Sequence, residues 1–296
     1  MFGDFPEIAT DLRHPEANSS ALRGIRRAIQ SIGWGVRWHD RALIAAYYGL
    51  LMASTLSSGG LKLGRGVHPR FWLGDLSVST PIGRFECRGG TTDFEITNPN
   101  YEEALVRALA HRLANFRTRR AVFVDVGAHI GKYSVLAGRI LRDSGNVVAI
   151  EPDPDNFKAL AGNVRLNGLD NVSLFNIGCW SQDGSRVLHQ QVGDLGGHSL
   201  VDKTRGGSIT VPVRTLDGLL SEQPLGRVDI IKLDVQRAEV EVLKGARATI
   251  ESNPEVRIFF EETARSSTAE SLRLLRDLRF QVERLDEFNY VAQRSP

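Results

Sequence analysis

The stretch VFVDVGAHIGKYS, residues 122–134, decides the fold. It belongs to a continuous apolar run, AVFVDVG, the pattern of a strand covered on both faces. Two glycines four apart follow, Gly127 and Gly131, and then a helix from about Lys132 to Leu141. The same rhythm continues downstream. NVVAIEPDP (146–154) reads as a strand, DNFKALAGNVRLNG as a helix ending at Gly168, and NVSLFNIGCW (171–180) as a third strand. A long polar segment, 181–208, interrupts before ITVPVRTLDGLL. RVDIIKLDV and EVRIFFEE are further strands, followed by the helices AEVEVLKGARATIES and TAESLRLLRDLR. FQVERL and NYVAQ lie too close together for a parallel crossover and predict an antiparallel hairpin. The class is therefore α/β, a mostly parallel sheet with helices on both faces. Ligands of such sheets sit beyond the carboxyl ends of the strands, where the quoted turn lies.

Upstream of this core the 296-residue chain divides at changes of texture, giving 1–70, 71–118 and 119–296. Residues 1–70 read as a helical extension that includes SSALRGIRRAIQSI, with Ser19 as N-cap, and closes on the Gly/Ser-rich SSGGLKLGRGVHP. The apolar run ALIAAYYGLLMA begins at Ala42. At about a dozen residues it is shorter than the ~18 needed to span a bilayer. It reads as a buried helix or a homodimer seam, with in-plane membrane contact through 42–56 as the alternative. LSVSTPIGRFECR has a Pro-Ile-Gly turn between strand-like arms, a hairpin signal. NPNYEEALVRALAHRLANF opens a helix with Asn98 or Asn100 as cap. A net charge of +2 gives no reason to expect nucleic acid, and the basic cluster Arg117, Arg119 and Arg120 reads as a solvated linker. Cys87 and Cys179, the only cysteines, form neither a disulfide framework nor a metal site. With an acidic N-terminus lacking a basic signal region, they point to the cytoplasm.

The glycine turn gains meaning from the second strand. NVVAIEPDP places Glu151 at its end, where a carboxylate can accept hydrogen bonds from both ribose hydroxyls of an adenosine. Glycine turn plus carboxylate imply a nucleoside cofactor, NAD or S-adenosylmethionine. A pyrophosphate prefers G-x-G-x-x-G, but Ala128 and the bulky His129 follow Gly127 here. Asp125 would repel a pyrophosphate and suits the ammonium of a methionine moiety. S-adenosylmethionine is the expected cofactor, with a nicotinamide-dependent oxidoreductase as the competing enzyme class. A third reading is a non-catalytic interaction module that retains the cofactor fold.

FVDVGAHIGKYS, VVAIEPDPDNFKALAGNVRLNG, VPVRTLDGLL and DIIKLDVQRAEVEVLKGA, in this order and ending at IFFEE, resemble the FkbM-type S-adenosylmethionine-dependent methyltransferases over roughly residues 88–262. The resemblance implies a Rossmann-like class I methyltransferase sheet of seven strands, and methylation of a hydroxyl oxygen on a sugar, glycan precursor or secondary metabolite. It implies cofactor contact by Asp125, Gly127, Gly131 and Glu151; Ala128, His129, Pro152, Asn176, Gly178 and Asp234 complete the expected cofactor set. The family's usual DVEGAE reads DVQRAE here, with Gln236 for the acid and Arg237 for the glycine, and His129 stands where Asn is common. The change at 236–237 bears on the acceptor more than on the cofactor.

Methyl transfer to oxygen needs positioning, and a base because a neutral hydroxyl is a poor nucleophile. Lys232 and Asp234, two apart on a strand, project to one side at its carboxyl end. They are either an ion pair holding the loop or groups beside the methyl-donor centre. Glu239 shares an inward stripe with Leu243, Ala246 and Ile250, and either caps its helix or meets substrate. Glu261 and Glu262 would extend the acidic group, but no His or Cys spacing supports a metal. His198, in the glycine-flanked DLGGHSL, is a candidate general base if its loop covers the cleft. Arg88, Thr92 and Asp93 are read as cleft-lining or as ordinary turn residues, and Trp180 as packing on adenine or in the core.

Overall fold

The computed structural model describes residues 20–56, 73–116, 120–191, 197–202, 206–262 and 265–294. Ser19, Arg117, Arg119, the whole Gly/Ser-rich boundary and the DLG of the His198 loop lie outside them. The chain forms two compact units, residues 1–101 and 102–296.

The first unit contains α1 (Ser20–Gly33), α2 (Trp38–Leu56), β1 (Leu76–Ser79), β2 (Arg84–Cys87) and α3 (Asp93–Thr97). β1 and β2 form the expected antiparallel hairpin around the Pro-Ile-Gly turn. Thr80 closes it, its hydroxyl accepting from the N–H groups of Ile82 and Gly83. α2 buries Ile44 and Tyr47 while Leu50 and Met52 remain exposed. Among the described residues no helix is long and apolar enough to cross a membrane. Arg88 donates through its backbone N–H and its guanidinium to the fully buried Asp93, as turn residues do.

The second unit begins with α4 (Glu103–Ala114). Its start is not set by Asn98 or Asn100: Glu102 precedes it in a left-handed conformation (φ 53°), and Asn98 instead accepts from the N–H of Asn100. Then follow β3 (Ala121–Val126), α5 (Lys132–Leu141), β4 (Gly145–Ile150), α6 (Pro154–Leu166), β5 (Val172–Phe175), β6 (Gly178–Cys179), β7 (Gly184–His189), β8 (Ser208–Arg214), α7 (Leu216–Ser221), β9 (Ile230–Leu233), α8 (Glu239–Gly245), α9 (Arg247–Ser252), β10 (Arg257–Glu261), α10 (Arg265–Asp277), β11 (Gln281–Arg284) and β12 (Asn289–Gln293).

Seven strands form the main sheet in the order β11-β12-β10-β9-β3-β4-β5. β3, β4, β5, β9 and β10 run parallel, and β12 enters antiparallel between β10 and β11, as the terminal hairpin requires. Every residue of β3 and of β9 is buried, which is why those segments read as apolar runs interrupted only by Asp125 and Lys232. Strand order reverses between β3 and β9, so the rim above them is the topological switch point.

Two features differ from the sequence expectation. The third strand breaks after Phe175, and β6 joins a separate three-stranded sheet with β8 and β7. β7 lies inside the polar segment read as an interruption. The helix after β9 also breaks, at Ala246. Asp217 supplies the physical reason, because its carboxylate accepts from the N–H groups of Ala248 and Thr249 and so caps a new helix.

Candidate active site

The turn after β3 is shaped by what crosses it. Gly127 has φ 80°, and a Cβ there would stand 1.8 Å from the backbone oxygen of Asp234. The glycine therefore serves close packing against the end of β9 as well as the turn. The N–H groups of Gly127 and Ala128 both donate to the carbonyl of Ile150, at 3.0 Å each. Gly131 (φ 93°) leads into α5, with a hypothetical Cβ 2.7 Å from Leu160. Between them His129 takes φ 51°, a conformation that Asn and His tolerate better than most side chains. That shared tolerance is why His can stand where the resemblance leads one to expect Asn.

Glu151 faces this turn. Its Oε2 accepts from the N–H of His129 at 2.8 Å and its Oε1 from the N–H of Asp153 at 3.0 Å. The Asn156 side chain donates to the same carboxylate, and the acceptor capacity that remains is what a ribose hydroxyl would meet. Burial pushes the carboxyl up to about 7, against the opposing pull of those two N–H groups and of the Asn156 side chain. Asn176 donates to the carbonyls of Glu151 and Pro152, and Gly178 packs beside Pro152, Leu200 and Val213. These expected cofactor residues thus hold the segment that presents Glu151.

Asp153 N-caps α6, accepting from Asp155 and Asn156, with Pro154 in the first turn. Its other oxygen accepts from Gln190 and lies 3.7 Å from Nε2 of His198. His198 Nδ1 accepts from the N–H of Gln191 at 3.0 Å. These contacts pin the segment that carries His198. Ser199 fastens the same segment onward by donating to the carbonyl of Gln236.

Asp125 is fully buried. Its carboxylate accepts from Ser134 at 2.6 Å and lies 3.8 Å from Lys232; burial raises it, against the opposing pull of Lys232 and Ser134. Lys232 sits 3.1 Å from Asp234 and 4.8 Å from the centre of the Tyr133 ring. Burial alone would lower the Lys232 ammonium; Asp234, Asp125 and Glu102 reverse this and hold it above its ordinary value. In return, despite burial, Asp234 is held below the usual carboxylate range by Lys232 and by hydrogen bonds. The ion pair foreseen from spacing is present, and it lies at the switch point.

Glu239 is buried on the stripe with Leu243, Ala246 and Ile250. Its Oε1 accepts from the N–H groups of Val235 (3.4 Å) and Arg237 (3.3 Å), so it fastens the preceding loop instead of capping its own helix, and burial raises it to about 8. Trp180 packs with Val213 and Ala238, and the Arg186 guanidinium covers its ring at 4.1 Å. Among the described residues no group of three His, Cys, Asp or Glu could hold a metal ion.

Sequence reasoning missed Lys132 and Glu102. Lys132 is 2% exposed, 4.0 Å from Glu102, and burial lowers it to about 7. Glu102 also accepts from the Tyr133 hydroxyl at 2.7 Å. A lysine directly after the second glycine of the turn was the available signal for the first; nothing local marks the second.

A glycine turn and a strand-end carboxylate at the switch point of a sheet in this order define a Rossmann-like, class I methyltransferase fold. The Methyltransferase FkbM domain model matches residues 125–282, and the chain belongs to that family. Among characterised relatives, 2-O-methyltransferase NoeI of Sinorhizobium fredii is 28% identical over 190 residues, covering 58% of this chain and 74% of the relative. Hexuronic acid methyltransferase AglP of Haloferax volcanii is 28% identical over 177 residues, covering 59% and 69%. Methyltransferase sdnD of Sordaria araneosa is 29% identical over 153 residues, and the chain spans 59% of its length. A crystal structure of Methyltransferase FkbM from Methylobacillus flagellatus is 14% identical, with TM-score 0.43 over 92% of this chain and 59% of that one.

Proposed function

We propose that this protein transfers a methyl group from S-adenosylmethionine to a hydroxyl of a sugar, glycan precursor or secondary metabolite, in the cytoplasm. The observation that carries the reading is Glu151. Both its oxygens are oriented by backbone N–H groups, one of them from the glycine turn, so that a diol-binding edge faces the rim at the switch point. Family membership supplies the reaction class. A relative named as a 2-O-methyltransferase and one named for hexuronic acid support a carbohydrate acceptor. The two free, buried thiols suit a reducing compartment.

When bound, the cofactor supplies an electrophilic methyl group on a positively charged sulfur. Glu151 holds the ribose diol. The tight turn at Gly127 and Gly131 brings backbone close to the nucleoside, with Ala128, His129, Pro152, Asn176 and Gly178 shaping the same edge. Asp234, kept ionised by Lys232, faces the end of the site where positive charge resides. Glu239 fixes the loop 235–237 that carries the acceptor side, and His198 orders the segment between the two ends. Titration calorimetry with S-adenosylmethionine, and transfer of labelled methyl to a panel of monosaccharides and uronic acids, test the reading. Failure to bind S-adenosylmethionine combined with binding of NADH would replace it with the oxidoreductase alternative.

A further inference from the structure

The turn after β9 has two consecutive non-glycine residues at positive φ, Gln236 (50°) and Arg237 (76°). Such conformations persist when surrounding contacts over-determine them, and they cluster at functional sites. For Gln236 those contacts are carboxylates. Its Nε2 lies 3.2 Å from Oδ1 of Asp234 and 3.4 Å from Oε2 of Glu261, so one amide bridges the ends of two adjacent parallel strands. The resemblance leads one to expect an acid at 236. A third carboxylate would repel the other two; the amide draws them together.

We propose that Glu261 is the base that takes the acceptor's hydroxyl proton, that Gln236 holds it against Asp234, and that the pair carries one proton until the positively charged cofactor displaces it. The proposal rests on the methyltransferase reading above. Glu261 is half-buried at the rim, whereas Asp234 is stabilised as an anion by Lys232 and is correspondingly a weak base. The groups facing Glu261 are Asp234 and Lys232 from the β9 end, Glu102 from the start of α4, Gln236 from the turn, and Asn289 opposite it on β12. Acids outnumber the lysine, and burial followed by the Asp234 charge holds Glu261 well above the usual carboxylate range. Without a cation beside it, the pair therefore keeps its proton on Glu261. A positive charge brought beside Glu261 would weaken that proton's hold; for any separation of about 5 Å at an effective dielectric of about 20 the effect is on the order of 100-fold.

The cycle then balances. The acceptor oxygen forms its bond to the methyl carbon as the carbon–sulfur bond breaks, and that electron pair returns to sulfur. The hydroxyl proton passes to the ionised Glu261. The neutral thioether product leaves the pair protonated, which is its starting state.

The test is proton exchange on cofactor binding, measured by calorimetry in two buffers of different ionisation enthalpy between pH 7 and 9. S-adenosylmethionine should release between about half and one proton more than S-adenosylhomocysteine, whose sulfur is neutral. Glu261→Gln should abolish that difference while keeping S-adenosylhomocysteine affinity within about threefold. In the unaltered protein, S-adenosylmethionine affinity relative to S-adenosylhomocysteine should rise with pH, a readout that needs no variant. Equal proton release by the two ligands, or an undiminished difference in Glu261→Gln, overturns the proposal. If neither ligand binds, the methyltransferase reading fails and takes this proposal with it.

Discussion

Replacing Glu151 by Gln tests the nucleoside site most directly. The carboxylate offers four lone-pair directions; the N–H groups of His129 and Asp153 use two and the Asn156 side chain also donates to it, leaving the remainder for the ribose. A carboxamide keeps one acceptor oxygen, and its NH2 must face one of those N–H groups. At least one charge-assisted bond to the ribose is therefore lost. At roughly 1.5–3 kcal/mol for a hydrogen bond to a charged group, affinity should fall about 10- to 100-fold. Calorimetric titration should show this equally for S-adenosylmethionine and S-adenosylhomocysteine, because both carry the same ribose. The pH dependence gives a second signature. In the empty protein the carboxyl is raised to about 7, so binding must expel a proton below that value. Affinity of the unaltered protein should drop about tenfold between pH 8 and pH 6, and that component should vanish in Glu151→Gln. Stability moves in the opposite sense. From an ordinary value of 4.5 up to about 7, the folded state holds a proton that the unfolded chain has released. The associated stability is complete below pH 4.5 and is lost as pH rises through 7, on the order of 3 kcal/mol. The variant should be correspondingly less sensitive to pH in that window. Binding by Glu151→Gln within about threefold of the parent at pH 8 would refute the assignment.

Three further variants separate packing from chemistry. Gly127→Ala should destabilise by at least about 3 kcal/mol in thermal unfolding, since its Cβ meets the Asp234 backbone and the φ of 80° alone costs roughly 1–2 kcal/mol. Gly162→Ala, in α6 with nothing within 4 Å of the new atom, should instead stabilise by about 0.5–1 kcal/mol. Arg237→Gly relieves a positive φ but removes the half-exposed ion pair with Asp202, so stability should stay within about 1 kcal/mol. Hydrogen exchange at Val201 and Asp202, whose N–H groups are held by Ser199, should nevertheless accelerate several-fold; unchanged exchange would remove Arg237 as a fastener of that segment.

What could be read from the sequence follows from what each segment buries. β3 and β9 announce themselves because every residue in them is covered, and Gly127 because the chain must turn there at close range. The terminal hairpin was legible from loop length alone. β7 was not: only Leu188 of its six residues is buried, so neither face carries an apolar alternation. The break at Ala246 was invisible because its cause, Asp217, lies some thirty positions upstream. Glu102 and Lys132 were missed for a related reason. Their importance comes from a buried charge cluster with Lys232, Asp234 and Tyr133, assembled from three elements distant in sequence.

The chain's departures from its family's motifs fall at positions of positive φ: His129, Gln236 and Arg237. A residue with a side chain keeps such a torsion only if something holds its backbone, and in two of the three the holder is a buried carboxylate. Glu151 accepts the N–H of His129, and Glu239 accepts that of Arg237. Both acids are raised by burial, to about 7 and about 8, so near neutral pH each is divided between a form that grips its turn strongly and one that grips it weakly. Glu239 faces inward because it holds the N–H groups of the turn before its helix. It also ties the order of the acceptor-side loop to the same pH range in which the cofactor-side turn tightens, so the two ends of the rim should become rigid together as the solution becomes more alkaline.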